Sequence, residues 1–540
     1  MGMTAAQVKT GDFAGRPVQY AEQILGITTL TSDQKKLLSL LHEPPYRILA
    51  PSCHDSGKTY AAAVAISYWY DSFNPGAVFT IGPRQESLKD TVWGEVRRQR
   101  AKAGLRDDFI GPAAPEMRSS TDHWAKAFTA AKDASLTGRH LPRMLFIIEE
   151  AVRVDPIWWE VIQTMFDPAL GHAMLCPFNP TDTSCQAFVE DQKATDAGGA
   201  KRWHRVHISA LDHPNIVAEL AGRPRPIPHG LSLEMVQGWV DDWTEAVDAA
   251  DREVTDVEWP PASGSWRRPG PIFQSRGLGL WPDTGSGVWS PALYDACTRL
   301  TDRHALGLLF PANELPCIGA DCATGHGDDF HAIHCRWGRV SVHHETANTM
   351  NPVRIFQRLK VCAQAMADLA NTRLPPRADK VKPQQIPIKI DDDGTGGAVG
   401  SFLAADGYTV VMLGAGCKAN DESHYPNRRS ELWFVCAGRG RKGLVNFGLL
   451  DETTKNRLRL QLITPTWKLD GKGRQLVEPK DKIKDRIGRS PDDADAVDLA
   501  YYEGGPTPTV EYVEPTFTVD RSVPDTQRSA ARERGLFGRR

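Results

Sequence analysis

The feature that most constrains this chain is the run Ser52-Cys53-His54-Asp55-Ser56-Gly57-Lys58-Thr59, set between a short apolar segment, Arg47 to Ala50, and a stretch with helical character. A strand that turns through a small polar loop into a helix aims backbone N–H groups and the positive end of the helix dipole at one point. That is how a polypeptide cradles phosphate. In such a loop the backbone from Ser52 through Asp55, Ser56 and Gly57 wraps the phosphates, Lys58 reaches the β and γ phosphates of ATP, and the Thr59 hydroxyl holds Mg²⁺. Ser52 stands at the first position, where Gly is usual.

Two later segments fit the same chemistry. Leu145-Phe146-Ile147-Ile148-Glu149-Glu150 is an apolar strand ending in two carboxylates, which is where a nucleotide hydrolase needs one acid for Mg²⁺ and one to polarise the attacking water. Glu150 takes the catalytic role. Glu149 takes the metal role, with one methylene more than the Asp usual there. Asn179-Pro180-Thr181 follows the apolar stretch Ala173 to Phe178 and is placed to sense the γ-phosphate and pass its loss to a moving element. From Arg47 to about Ser209, β-rich runs (Arg47 to Ala50, Ala77 to Ile81, Met144 to Ile148) alternate with helical ones from Thr59 and Gln85. That rhythm predicts a parallel sheet flanked by helices.

At 540 residues the chain is too long for one ordinary core. No apolar run approaches bilayer length, and Met1 to Arg16 lacks the pattern of a secretory signal, so a cytoplasmic setting without a membrane is expected. The ten cysteines are scattered without paired metal-ligand spacing, and reduced, mostly buried thiols are expected. A net charge of -3 gives no global attraction to nucleic acid, so any DNA contact must rest on local basic patches. Between Asp212 and Pro311 Pro and Gly clusters break the pattern, with Asp241 to Asp256 reading as helical; this is a linker or small subdomain.

A second α/β pattern begins at Cys317. It holds a strand ending in Asp321, the strands His331 to Trp337 and Val340 to Glu345 joined by Gly338-Arg339, a helix from Pro352 to Ala370, the strands Ile386 to Ile390 and Thr409 to Leu413, and a helix around Asp495 to Tyr502. Asp321 and Asp391 end strands, and Asp492 and Asp495 lie three apart on one helix face. Phosphodiester cleavage by two Mg²⁺ or Mn²⁺ ions about 4 Å apart needs such converging carboxylates. Lys480, Lys482, Lys484, Arg486 and Arg489 form a basic cluster just before Asp492, suited to DNA phosphates entering that site. Asn427-Arg428-Arg429 is placed to reach either DNA or the carboxylates.

Taken in order, these pieces resemble the large subunit of tailed-bacteriophage terminases. The stretches that carry the likeness are Thr31-Ser32-Asp33-Gln34, Ala50 to Thr59, Gly82-Pro83-Arg84-Gln85, Gly138-Arg139-His140 leading to Glu149-Glu150-Ala151, and Lys480 to Pro491 with Asp492-x-x-Asp495-Ala. The resemblance implies a P-loop ATPase domain and a ribonuclease H-like nuclease domain, a packaging motor that drives double-stranded DNA into a procapsid and cuts concatemers, and Gln34 as an adenine contact. It favours Asp391 over Asp392 and Asp393 through the spacing Asp391-x-x-Gly394-x-Gly396. It also implies a portal protein and a small terminase subunit as partners, a homo-oligomeric ring docked transiently on the portal in the host bacterial cytoplasm, and an arginine that completes a neighbour's site, with Arg84, Arg139 and Arg143 as candidates.

The expected layout is an N-terminal arm over 1–30, the ATPase domain over 31–210, a linker subdomain over 211–310, the nuclease domain over 311–505 and a disordered basic tail over 506–540, with Arg528, Arg532, Arg534, Arg539 and Arg540. The rival readings are a helicase or repair ATPase fused to a resolvase-like nuclease, and a scaffold subunit with a degenerate nucleotide site.

Overall fold

Runs such as Met144–Ile148 carry five consecutive apolar residues, all buried, and so must sit inside a sheet covered on both faces. The computed structural model describes residues 12–105, 109, 115–129, 141–196, 198–283, 285–311, 314–322, 330–348, 351–373, 379–392 and 394–503. The readings of Gly138-Arg139-His140, of Asp393 and of the basic tail lie outside these.

Seven strands form the first sheet: β1 (Arg47–Pro51), β2 (Gly76–Ile81), β3 (Glu116–Ser120), β4 (His123–Phe128), β5 (Met144–Ile148), β6 (Ala173–Phe178) and β7 (His204–Arg205). Their order is β3-β4-β2-β5-β6-β1-β7, parallel throughout except for the β3–β4 pair at one edge. β6 therefore lies between the phosphate-loop strand β1 and the acid-bearing strand β5. The helix Lys58–Ser72 is apolar nearly all round and buried along most of its length, the mark of a central helix rather than a surface one. One core packs it with Tyr20, Leu37 and Trp93 against Ile48, Val78 and Leu145; on the other face Phe79, Phe146 and Ile148 meet Trp158, Trp159 and Trp203.

Residues 210–280 carry β8 (Thr244–Val247), β9 (Val257–Glu258) and β10 (Trp266–Pro269) in the antiparallel order β8-β10-β9. The reading of Asp241 to Asp256 as one helix is corrected here. The helix Leu233–Trp243 stops at Trp243, and Thr244 to Val247 pair with Pro269 to Trp266. Polar composition alone does not separate helix from edge strand, and pairing with a distant segment decides it. This subdomain packs on the phosphate loop, for Cys53 shares a core with Phe273, Leu278 and Val240.

The second sheet contains β11 (Cys317–Asp321), β12 (His331–Trp337), β13 (Val340–Ala347), β14 (Ile388–Ile390) and β15 (Val410–Met412) in the order β13-β12-β11-β14-β15. Its first three strands are antiparallel and its last two run parallel to β11, which is the ribonuclease H-like arrangement. The Pro352–Asn371 and Thr395–Ala405 helices cover one face, and the Asp492–Tyr501 helix the other. Close approach on that second face depends on Gly319, where an added Cβ would lie 2.2 Å from the Ala496 carbonyl oxygen. A two-stranded ribbon, β16 (Trp467–Leu469) and β17 (Gln475–Val477), flanks this unit.

The boundary expected at 310/311 falls too late. Val288, Trp289, Leu293, Tyr294 and Cys297 share a core with Trp433, Phe447 and Tyr501, so the second unit takes in residues from about Val288. Between the units, Asp191 accepts from Arg205 at 2.5 Å, from Trp281 at 2.8 Å and from Arg459 at 3.4 Å, while Arg459 also bonds Asp295 at 3.2 Å. All ten cysteines are free, and most are buried. Among the described residues no helix is long and apolar enough to cross a membrane.

Candidate functional sites

At the carboxyl end of the first sheet the loop after β1 turns through Gly57, whose φ of +75° lies in the left-handed region. A Cβ there would meet the Gln34 side-chain nitrogen at 2.3 Å. Gln34 itself completes a capping box with Thr31 and donates to the Gly57 carbonyl at 3.1 Å, which fixes the Ser32–Leu40 helix to the loop. Asn179, at the end of β6, joins the loop from the other side: its Nδ2 donates to the Ser52 carbonyl at 2.7 Å and its Oδ1 accepts from Lys58 Nζ at 3.1 Å. Ser52 Oγ turns back to the Ala50 carbonyl at 2.8 Å, so the residue that replaces the usual Gly closes the loop internally.

Thr59 Oγ1 donates to Glu149 Oε1 at 2.6 Å. The extra methylene of Glu149 thus brings its carboxylate directly to the hydroxyl. Burial pushes the Glu149 carboxyl above the usual carboxylate range, against the opposing pull of Thr59 and Lys58. Its Oε2 is buried and lacks a hydrogen-bond partner, an acceptor that fits Mg²⁺ beside Thr59. Glu150, with φ +51°, points out of the strand end and lines a small cavity with His54, Asn179, Thr181, Arg153 and Arg276. Arg276 was not legible in the sequence. It comes from residue 273–277 of the subdomain, a stretch wound as a π-helix, and its carbonyl accepts from His54 N at 2.8 Å.

In the second unit Asp321, Asp391 and Asp492 line one cavity of about 830 Å³ together with Arg429, Lys480, Lys482 and Lys484. Asp391 accepts from Ala415 N at 3.3 Å at the mouth of β14, whereas Asp392 is not among the lining residues. Asp492 Oδ2 accepts from Phe330 N at 3.0 Å, and Asp495, one turn on, accepts from Trp433 Nε1 at 3.0 Å. Lys480 Nζ bridges the group, 3.3 Å from Asp321 Oδ2 and 2.8 Å from Asp495 Oδ2. With an ammonium among them, no three of these described carboxylates bring oxygens within 4.8 Å of one another.

The electrostatics divide the acids. Burial, and then the Asp321 charge, raise Asp492. Burial also acts to raise Asp495, but Lys480 outweighs it and holds that carboxyl low. Burial works against the Lys480 charge, and Asp321 and Asp495 overcome it, keeping the ammonium well above its ordinary range. A set of hard oxygen donors around an open cavity fits Mg²⁺ or Mn²⁺.

Several expected contacts are corrected. Lys480 lines the cavity and, in this structure, is paired with the carboxylates of Asp321 and Asp495. Arg489 is buried, packs over the Phe330 ring and pairs with Asp493 at 3.5 Å, so it is not at the surface. Arg486 is clamped between Glu478 and the Thr464 carbonyl. Lys482 and Lys484 do line the cavity. Of Asn427-Arg428-Arg429, Asn427 caps the Arg428–Arg441 helix, Arg428 bonds Tyr502, and Arg429 reaches the cavity. Arg143 precedes β5, at the opposite end of that strand from Glu149, and stacks over Phe73 at 5.2 Å. Arg84 is exposed after β2, at the nucleotide end of the sheet, and Arg139 lies outside the described residues.

Behind the acids lies a buried network that the sequence did not announce. Asp493 accepts from His344 at 2.7 Å, from Arg457 at 2.8 Å and from Gln461 at 2.6 Å. It anchors the start of the helix that carries Asp492 and Asp495.

No family model matches the chain, and no curated protein matches it. Among solved structures, the large terminase of bacteriophage HK97 is 13% identical over 90% of this chain and 98% of that one, with a TM-score of 0.37. The large terminase of a thermophilic bacteriophage is 13% identical over 85% of this chain and 98% of that one, at 0.33. A mutant nuclease domain of the large terminase subunit of bacterial virus Sf6, solved with manganese and beta-thujaplicinol, is 16% identical over 41% of this chain and 100% of that one, at 0.30. Likeness at these identities and scores carries no argument about activity; the functional reading rests on this chain's own residues.

Proposed function

We propose that this chain is a viral genome-packaging motor subunit that hydrolyses ATP to move double-stranded DNA and cuts that DNA at a separate metal-dependent site. The observation that supports the reading is the presence in one chain of two separate groups of side chains. One is a phosphate loop wired through Thr59 to Glu149 and through Lys58 to Asn179; the other is an open carboxylate cavity on a ribonuclease H-like sheet.

In the first site Lys58 and the loop from Ser52 to Thr59 hold the phosphates of ATP, Thr59 and Glu149 support Mg²⁺, and Glu150 orients the attacking water. Asn179, Pro180 and Thr181 report the state of the γ-phosphate. Lys58 rests on Asn179 and gives that amide up when phosphate binds, so occupancy reaches β6 directly. Gln34 borders the loop and contacts the adenine. In the second site Asp321, Asp391, Asp492 and Asp495 would hold two Mg²⁺ or Mn²⁺ ions, whose contribution when bound would be activation of water and stabilisation of the leaving oxygen. Lys482 and Lys484 bring DNA phosphate to the cavity. The portal ring, a small subunit that chooses the start site, a homo-oligomeric working state and a host-cytoplasmic setting complete the proposal.

The test uses the full chain with linear and plasmid double-stranded DNA. DNA-stimulated ATP hydrolysis, Mn²⁺-dependent cleavage abolished by EDTA, and DNA uptake into procapsids together support the reading. Cleavage confined to branched DNA favours the resolvase-like rival, and a folded chain that binds no ATP favours the scaffold.

A further inference from the structure

On the face of the second sheet that packs against the Pro352–Asn371 helix, away from the carboxylate cavity, four side chains with metal-binding chemistry meet. Cys335 and His343 are directly paired across β12 and β13, and Glu345 follows two residues on, so all three share a face. A register shift beside Cys335 leaves Val342 without a cross-strand partner, so Cys335 faces His343 while Arg336 faces Ser341. The covering helix supplies Cys362.

The distances are short. His343 Nε2 lies 3.0 Å from Glu345 Oε2, and Cys362 Sγ lies 4.0 Å from Glu345 Oε1. The donor atoms of His343, Glu345 and Cys362 all fall within 4.8 Å of one another, and among the described residues no other His, Cys, Asp and Glu group is this compact. Cys335, buried and directly paired with His343, adds a second thiol beside this compact trio, in the same core cluster as Cys362. A structural thiol in a core is usually surrounded by hydrocarbon. Here Cys362 is placed against a second thiol, an imidazole and a carboxylate.

We propose that Cys335, His343 and Cys362, with Glu345 as the fourth donor, form a closed site for a thiophilic divalent cation, Zn²⁺ foremost. Two sulfurs, a ring nitrogen and a carboxylate oxygen are the donor types of a four-coordinate zinc centre with a structural role. The charges balance, because two thiolates offset the cation while Arg358, 2.6 Å from Glu345 Oε1, offsets the carboxylate. A carboxylate held by Arg keeps lone pairs for an ion. His343, with 42% of its side chain exposed, and a cavity lined by Glu345, Asn348, Arg354 and Arg358 supply the way in. The local fields ionise one sulfur ahead of the other: contacts with Cys335 and His343, working against burial, hold the Cys362 thiol low, whereas Cys362 and burial push the Cys335 thiol up, so the bound cation must itself displace that second proton; contacts with Cys362 and Glu345 raise His343 to about 9. Binding would release the imidazole and thiol protons and pin β13 to the covering helix.

The full-length protein, stripped with chelator under reducing conditions, is titrated with Co²⁺ and then with Zn²⁺. The expected result is a thiolate-to-cobalt charge-transfer band whose amplitude corresponds to about one Co²⁺ per chain and which Zn²⁺ abolishes. Oxygen ligands in the carboxylate cavity give no such band. Cys362→Ser should remove it, and His343→Ala, a change at a partly exposed side chain that leaves the fold intact, should weaken Co²⁺ binding at least about 10-fold. Cys322→Ser, in the wall of the carboxylate cavity, should leave the band in place. No band in the wild-type protein, a band that survives Cys362→Ser, a band lost with Cys322→Ser, or a Cys335–Cys362 disulfide in protein purified without reductant would each overturn the proposal.

Discussion

The phosphate loop and the carboxylate cavity both place a lysine at their centre, but the two lysines do opposite things. Lys58 rests on a neutral amide oxygen, Asn179 Oδ1 at 3.1 Å, and so is a cation waiting for an anion. Lys480 bridges two carboxylates and stands among anions as the cation already present. Lys58 donates to one neutral oxygen while Lys480 faces two opposite charges, so Lys58 is the easier of the two to release. The first site is poised to bind; the second is neutralised while it waits.

The strongest effects separate the two sites outright. Lys58→Ala should lower ATP turnover by about 100-fold or more while Mn²⁺-dependent cleavage stays within about 2-fold, because one site loses its phosphate charge and the other is untouched. Asp321→Asn should do the reverse, since it removes a metal ligand from the cavity. Both rates are measured on one preparation of each variant; loss of both activities in a well-folded protein would end the idea of two independent centres.

A smaller effect tests how the second site is built. Gly319→Ala forces a methyl against the Ala496 carbonyl and should push the Asp492–Tyr501 helix outward, destabilising the second unit by about 1–3 kcal/mol. Denaturant midpoints followed through the tryptophans would show it. Unchanged stability with unchanged cleavage would mean that the helix position does not set the carboxylates.

The weakest effect concerns the join between the units. Burial acts to raise Asp295, but Arg205 and Arg459 outweigh it and hold its carboxyl at about 2. A carboxylate depressed on folding contributes stability above its unfolded value and loses it as pH falls through the folded one. The wild-type protein should therefore lose about 2 kcal/mol between about pH 4 and about pH 2 through this group, and Asp295→Asn should lack that step. An identical acid-unfolding profile for the two proteins would show that the Asp191–Arg205–Arg459–Asp295 cluster is not what holds the units together.

The uneven legibility of the two sites has the same root as their difference. The phosphate loop is one strand, one turn and one helix, so Gly57, Lys58 and Thr59 are read together, and Glu149 and Asn179 follow because each ends an apolar strand of the same sheet. The β3–β4 edge hairpin escapes a reading by pattern because its polar residues give no clean alternation. Arg276 escapes it because a subdomain more than 200 residues along the chain brings it to the loop. Basic residues before Asp492 read as one charged face, yet Lys480 turns to the acids, Arg486 to Glu478 and Arg489 into the core. Charge type was visible, but the direction each side chain takes was not.

What is local is written in the chain: apolar runs that must become buried strands, a loop whose turn needs Gly57, and acids at strand and helix ends that make two kinds of chemistry available. Which of those groups meet was left to the packed fold. It set Lys480 between Asp321 and Asp495, drew Val288 to Cys297 into the second core, and brought Cys362 beside His343 and Glu345. Such meetings depend on packing between elements far apart in the chain, and no local pattern of residues records that packing.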